Sequence, residues 1–394
     1  MERLETRKAL FHGHNFAQRE LTRRFECAAK YQREARQKRA VDHRELMASI
    51  NTVFSPDQPE QLPYWLRRYY STQFMTEDWL THPQYIDCEN WLLTPRPLGL
   101  RCLLVASSGL TIAITKQGEL HRNFQSALPN GGQSTGSANI YSVLEAIYSE
   151  EAAAYFILDV LTWNGVALYE NPAEYRLLLS RQYAKEAATA HSDIPLLSAP
   201  VYKCTPQSIQ TVYSAEFPFR MDGLLFYRDS GEYVLGVSPE VLIWKDGRCS
   251  PYPVDEGEKQ LVTLHLGTQG RLLTLDRVQL HVLSPDFIAE KSLHPGMLIT
   301  LSTDGVDLES FDPVLLNPAF QRVSRKSKLR ADHWSRILFQ SIGRKGGIPL
   351  SDLLQAASSP PTIDWTLIPP TLYDSKGRIG VEHKTKASTN MDVD

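Results

Sequence analysis

Residues Ile114–Gly118 read ITKQG: a lone lysine closes an apolar run and stands two residues before a turn glycine. Two chemistries are open to an amine so placed. Deprotonated, it is a nucleophile that can take a nucleotidyl group on Nζ. Protonated, it is a compact cation that can hold a phosphate. Transfer at phosphorus asks for more than the amine, because metal ions, cations and positioning supply nearly all of that catalysis. A solvated lysine at a strand end is the plain alternative.

The neighbouring pieces bear on that choice. Lys116, YFILDV (155–160), DGLLF (222–226) and LIWK (242–245), in that order, resemble the strand motifs of covalent nucleotidyltransferases of the ligase and capping-enzyme type. Against that pattern the groups needed for transfer are degraded. The Asp of Lys-x-Asp-Gly is absent after Lys116, and Val160 and Leu161 follow Asp159 where a metal-handling glutamate belongs. Trp244 replaces the first of two phosphate-contacting lysines. The resemblance therefore implies a nucleotide-sized pocket without a reaction. Trp244 would offer a base a stacking face, worth ~1–3 kcal/mol. A cation–π contribution of up to ~2 kcal/mol would come from a methylated, cationic guanine. The plain alternatives are a core tryptophan at 244 and a turn role for Asp222. His12 and His14 read as solvated, and no metal or cofactor is expected.

These groups must be carried by a largely β body. WLLTP (91–95), RCLLVAS (101–107) and LTIAITK (110–116) are short apolar runs divided by PLG and SSG turns. NIYSVLEAIYS (139–149) and AYFILDVLTW (154–163) read as a strand pair. Residues 172–190 and 205–214 read as helices, the first opening on Pro172. DGLLFYR, EYVLGV and EVLIWK read as three strands between 222 and 245. Further strand-like runs and the helix-like ADHWSRILFQSI suggest a small β-barrel with one helix over 256–345. From about residue 356 the polar chain reads as a disordered tail.

Charge is distributed unevenly. The chain of 394 residues has a net charge of −3, yet residues 1–46 hold twelve Lys and Arg against seven Asp and Glu. Residues 18–46 lack Pro and Gly and are rich in helix formers. Leu21, Phe25 and Ala29 make only a short apolar stripe, so this helix docks or stays frayed. A solvated surface helix is the plain reading; nucleic-acid contact, a nuclear-localisation patch or an acidic protein groove are the alternatives. The five cysteines lack Cys-x-x-Cys spacing, which fits a reducing compartment rather than a disulfide scaffold. No signal peptide or membrane span is expected.

QFMTEDWL (73–80), LGLRCLLVASSGLTIAITKQG (98–118), HRNFQSALPNGG (121–132), YFILDVLTWNG (155–165), YKCTPQSI (202–209) and FPFRMDGLLFY (217–227) together resemble the snurportins, nuclear-import adaptors for small nuclear ribonucleoproteins. The resemblance spans roughly residues 1–245. It implies an α+β, capping-enzyme-like domain (71–255) that binds the 2,2,7-trimethylguanosine cap of small nuclear RNA without catalysis. It also implies a basic importin-β-binding arm (1–46), a linker (47–70) and an exportin that recycles the chain between nucleus and cytoplasm. Residues 256–345 would be a β-rich extension and 346–394 a mostly disordered tail. Carried over by position, Trp244 stacks on the cap and Trp79 lies near its dimethylamino group, while Lys116 and Arg101 make basic contacts. Thr76, Glu77, Arg96 and Leu100 fall at the remaining pocket positions and depart from the family's residues. Glu77 facing the guanine would favour a singly methylated cap, or else it points to solvent. The resemblance assigns importin binding to Arg19, Arg23, Arg24, Lys30, Arg33, Arg36, Lys38 and Arg39. An active guanylyltransferase or RNA ligase using Lys116 is the competing reading, with KLRADHW (328–334) a faint echo of a late motif of those enzymes.

Overall fold

The protein, here a computed structural model, is described over residues 17–32, 64–132, 140–188, 192–307, 313–324 and 330–368. The expected apolar runs become strands. One sheet holds β1 (Met75–Trp79), β2 (Trp91–Pro97), β10 (Tyr202–Lys203), β11 (Met221–Arg228) and β12 (Gly236–Trp244), in the order β1-β12-β11-β2-β10. A second holds β3 (Leu100–Ser107), β4 (Leu110–Thr115), β5 (Leu120–Phe124), β6 (Tyr141–Ser149), β7 (Ala154–Trp163) and β8 (Val166–Ala167), with β9 (Leu196–Ser198) beside β7. The β6–β7 pair is an antiparallel hairpin. EYVLGV does not form a strand of its own. Tyr233 and Val234 are drawn into side-chain and backbone bonds with Tyr169, Glu145 and Met75, and β12 begins only at Gly236.

Helices pack around these sheets. Helix α1 covers residues 17–32 and α2 is Tyr64–Tyr70. Helices α3 (Ala173–Ala188) and α4 (Pro206–Ser214) match the two read from sequence, and Thr205 caps α4 by accepting from the Ser208 N–H. Arg176 on α3 is wholly buried and grips both carboxylate oxygens of Asp159 on β7 at 2.9 Å. Asp159 is thereby an anchor for a helix rather than a metal ligand.

The C-terminal region has its own sheet. It contains β13 (Gln260–Leu266), β14 (Arg271–Leu273), β15 (Gln279–Val282), β16 (Leu298–Thr303) and β19 (Ala319–Ser324), ordered β15-β14-β13-β16-β19. Strands β17 (Gly305–Asp307) and β18 (Val314–Leu316) pair separately. Among the described residues no ladder joins β15 to β19. Helices α5 (Pro285–Glu290), α6 (Trp334–Arg344) and α7 (Leu350–Ser358) complete it.

Two expectations about the chain's ends are corrected. Residues 350–368 are not a tail, because Leu353, Ala357, Ile363 and Ile368 enter the largest hydrophobic cluster. Part of the linker is helical, since α2 packs on the turn that carries Lys116. Gly118 has φ +78°, and a Cβ there would lie 1.9 Å from the Arg67 carbonyl oxygen. No helix among the described residues is long and apolar enough to cross a membrane.

Breaking the Asp159–Arg176 pair strands a buried guanidinium. Asp159→Asn is expected to cost about 3–5 kcal/mol of unfolding free energy in denaturant melts; a loss below about 1 kcal/mol would contradict this anchoring role.

Candidate ligand-binding site

The two N-terminal sheets face each other across an apolar layer. Met75, Leu92, Leu225 and Ile243 meet Leu103, Val105, Ile112 and Ile114. Residues two apart on a strand share a face. Glu77 therefore follows Met75 into this space, Arg96 follows Leu92 and Thr94, and Arg101 precedes Leu103. Lys116 lies just beyond the end of β4, two residues past Ile114. At one end of the layer, apolar side chains give way to charge.

The charges alternate in sign. Glu77 accepts from Arg96 Nε at 3.2 Å and also pairs with Arg101. Arg101 also pairs with Glu145 and donates to the Met75 carbonyl. Glu145 accepts from the Tyr233 hydroxyl at 2.6 Å. Asp222 pairs with Arg96, accepts from Lys245 Nζ at 2.6 Å and from the Ser250 hydroxyl at 2.7 Å. Asp222 thus holds two cations rather than a turn. Gly223 beside it has φ +108°, and a Cβ there would come within 2.7 Å of the Trp244 carbonyl oxygen. The glycine lets β11 approach β12 closely at this point.

Burial alone would raise the Glu77 carboxyl, but Arg101 and then Arg96 hold it well below the usual carboxylate range. Lys116 is exposed over much of its side chain. Protein mass around its amine, and then Arg101, lower its pKa while Glu77 opposes them. At so open a position solvent screening keeps that effect modest.

The expected site residues divide between two faces. Glu77, Arg96 and Arg101 form one connected network, and Lys116 stands within electrostatic reach of it. Thr76 is half-buried on β1, and Leu100 is exposed at the start of β3. Trp244 is not with them. Strand alternation turns its ring to the far face of the sheet, where it is 0 % exposed and its indole N–H donates to the Ile348 carbonyl at 3.0 Å. A base cannot stack on it in this arrangement, and the core reading of Trp244 is the correct one. Its neighbour Lys245 faces the network instead. Trp79 is half-buried, with its ring centroid 4.6 Å from that of Phe339 on α6 and Lys245 Nζ 6.0 Å from its centroid. Glu77 does not point to solvent; each of its oxygens accepts from one guanidinium. Lys245 and Glu145 were missed in the sequence. Lys245 was visible as the K of LIWK, whereas nothing local marks Glu145 as different from other strand glutamates.

Among the arm residues, Arg23 pairs with Glu20 and Asp276, and Arg24 is buried against Asp78. Both are committed to the body rather than presented to a partner. Arg19 and Lys30 are exposed, while Arg33, Arg36, Lys38 and Arg39 lie outside the described residues.

Residues 73–246 match the family model described as Snurportin1, m3G cap-binding domain. Over this stretch the chain is similar to that domain family. The snurportin domain contains every member of the charged network except Ser250. Among solved structures, the chain is similar to a mycobacterial DNA ligase D complexed with ATP and MES, at 11% identity and a TM-score of 0.33, covering 67% of this chain and 99% of the ligase. It is also similar to the ligase domain of M. tuberculosis LigD, at 11% identity and a TM-score of 0.32, covering 66% and 97%. Likenesses at that level carry no argument about activity.

Glu77 is depressed on folding, so the network gains stability from it above its unfolded value of about 4.3. That gain is lost as pH falls through the lower folded value. Glu77→Gln is expected to lower unfolding free energy by about 2–3 kcal/mol at pH 7, with the gap to wild type narrowing below about pH 4. A gap that widens on acidification would contradict the assignment.

Proposed function

We propose that the charged end of the layer between the two sheets binds the 2,2,7-trimethylguanosine cap of small nuclear RNA without chemistry. The observation that carries this reading is the family match of residues 73–246, which build the cleft. A cap brings a methylated guanine and a phosphate bridge. Lys116 at the open rim, with Arg96, Arg101 and Lys245 behind it, supplies cations for the phosphates. Trp79, with Lys245 Nζ 6.0 Å from its ring centroid, would meet the methylated base. Arg96 and Arg101 each take one oxygen of Glu77, which weighs against its selecting a singly methylated guanine.

The proposal extends to the whole chain as an import adaptor. The basic arm would engage importin-β, the cleft would carry the capped ribonucleoprotein, and an exportin would return the chain from nucleus to cytoplasm. Binding rather than catalysis is supported by the state of the carboxylates. Glu77, Glu145 and Asp222 are each engaged by arginine or lysine, a poor arrangement for divalent metal. The lowered pKa of Lys116 is the one feature favouring a guanylyltransferase or ligase. Labelled GTP or ATP with a divalent metal should leave no covalent label on Lys116; a stable adduct would overturn the non-enzymatic reading.

Binding makes a sharper demand. In fluorescence competition the trimethylated cap dinucleotide should bind more tightly than the monomethylated one, and Glu77→Ser should not reverse that order. Lys116→Ala should weaken binding about tenfold or more, as expected for one charge-assisted contact. A wild-type preference for the monomethylated cap would sink the ligand assignment.

A further inference from the structure

Helix α1 does not lie on the surface as a solvated arm. Leu21 and Phe25 are 0 % exposed and Arg24 is 2 % exposed. Arg24 donates to Asp78 at 3.1 Å, to the Trp79 carbonyl at 3.1 Å and to the Thr81 hydroxyl at 2.8 Å. Those partners belong to the snurportin domain, as does the Leu235 carbonyl that accepts from Gln32 at 2.7 Å. The same helix also holds the C-terminal region. Arg23 reaches Asp276 at 2.8 Å, and Asp276 in turn accepts from the Trp334 N–H at the start of α6 at 2.9 Å. The Gln18 side-chain amide donates to the Asp364 carbonyl and accepts from the Asp364 N–H, and Phe25 meets the Trp365 ring edge-on at 6.2 Å.

We infer that α1 is a latch closed across the two domains, and that its docked and receptor-bound states exclude one another. Two of the side chains that an acidic receptor groove would grip, Arg23 and Arg24, are spent on Asp276 and Asp78. A receptor must therefore peel the helix from the body, and its apparent affinity is reduced by the fraction of chains in which the helix is free. Peeling removes Arg24 from the Asp78–Trp79 strand end and Arg23 from the loop that anchors α6. Since α6 carries Phe339 against Trp79, capture of the helix loosens the cover on that side of the cleft. The receptor's identity rests on the import-adaptor reading, but the latch does not.

The test removes the body's half of the contact and leaves the arm's sequence intact. Full-length wild type and Asp78→Asn/Asp276→Asn are compared by hydrogen exchange and by importin-β titration, with a peptide of residues 1–46 as reference. The variant should exchange faster across residues 17–32 and Trp334–Arg344, and should bind importin-β at least tenfold more tightly than wild type, approaching the peptide. Leu21→Asp/Phe25→Asp, which breaks the latch from the arm side, should give the same exchange pattern, and covers the case in which the first variant fails to fold. Unchanged protection of 17–32 in both variants, or wild type binding as tightly as the peptide, would overturn the latch. A peptide that does not bind importin-β, with exchange behaving as expected, would remove the adaptor reading and leave the latch standing.

Discussion

Two adjacent carboxylates on β1 tie much of the molecule together. Strand alternation sends Glu77 and Asp78 to opposite faces, at the point where the pairing of β1 with β12 shifts register. Glu77 enters the inter-sheet space and collects Arg96 and Arg101. Asp78 turns the other way and clasps Arg24 of the N-terminal helix. The cleft and the latch are therefore built back to back on two consecutive residues.

Burying this much charge is tolerable only because every carboxylate has a cation and every guanidinium has an acceptor. An isolated ion in such a place would cost more than the fold could offset. The alternation of sign from Lys116 through Glu77 and Arg101 to Glu145, and from Glu77 through Arg96 to Asp222 and Lys245, keeps the site polar while holding each side chain in one geometry. A phosphate approaching from the Lys116 rim meets cations that are already oriented, which lowers the ordering cost of binding.

Much of this was legible in the sequence, and the gaps have physical causes. The strands of the N-terminal body were readable because turn glycines and prolines separate apolar runs with clear ends. Lys116, Arg101, Arg96 and Glu77 could be grouped because their motifs keep their order. Trp244 was placed on the wrong side because motif order gives the strand, whereas the face depends on register and on what packs behind. What packs behind it is Ile348, from a segment whose neighbouring polar composition read as tail. Small apolar side chains spread through that segment, Leu353, Ala357 and Ile363, are enough to bury it once a groove exists. The arm takes the docked one of its two readings for a related reason. A two-anchor stripe of Leu21 and Phe25 is weak in isolation, yet it suffices when the receiving surface also offers carboxylates to Arg23 and Arg24.

The central claim is that ligand enters between the sheets and not against Trp244. A crystal structure of the full chain with a trimethylated cap dinucleotide tests it most directly. Phosphates are expected within hydrogen-bond distance of Lys116 or Arg101, with the Trp244 indole still bonded to Ile348. A methylguanine stacked on an uncovered Trp244, with the charged cleft empty, would contradict it.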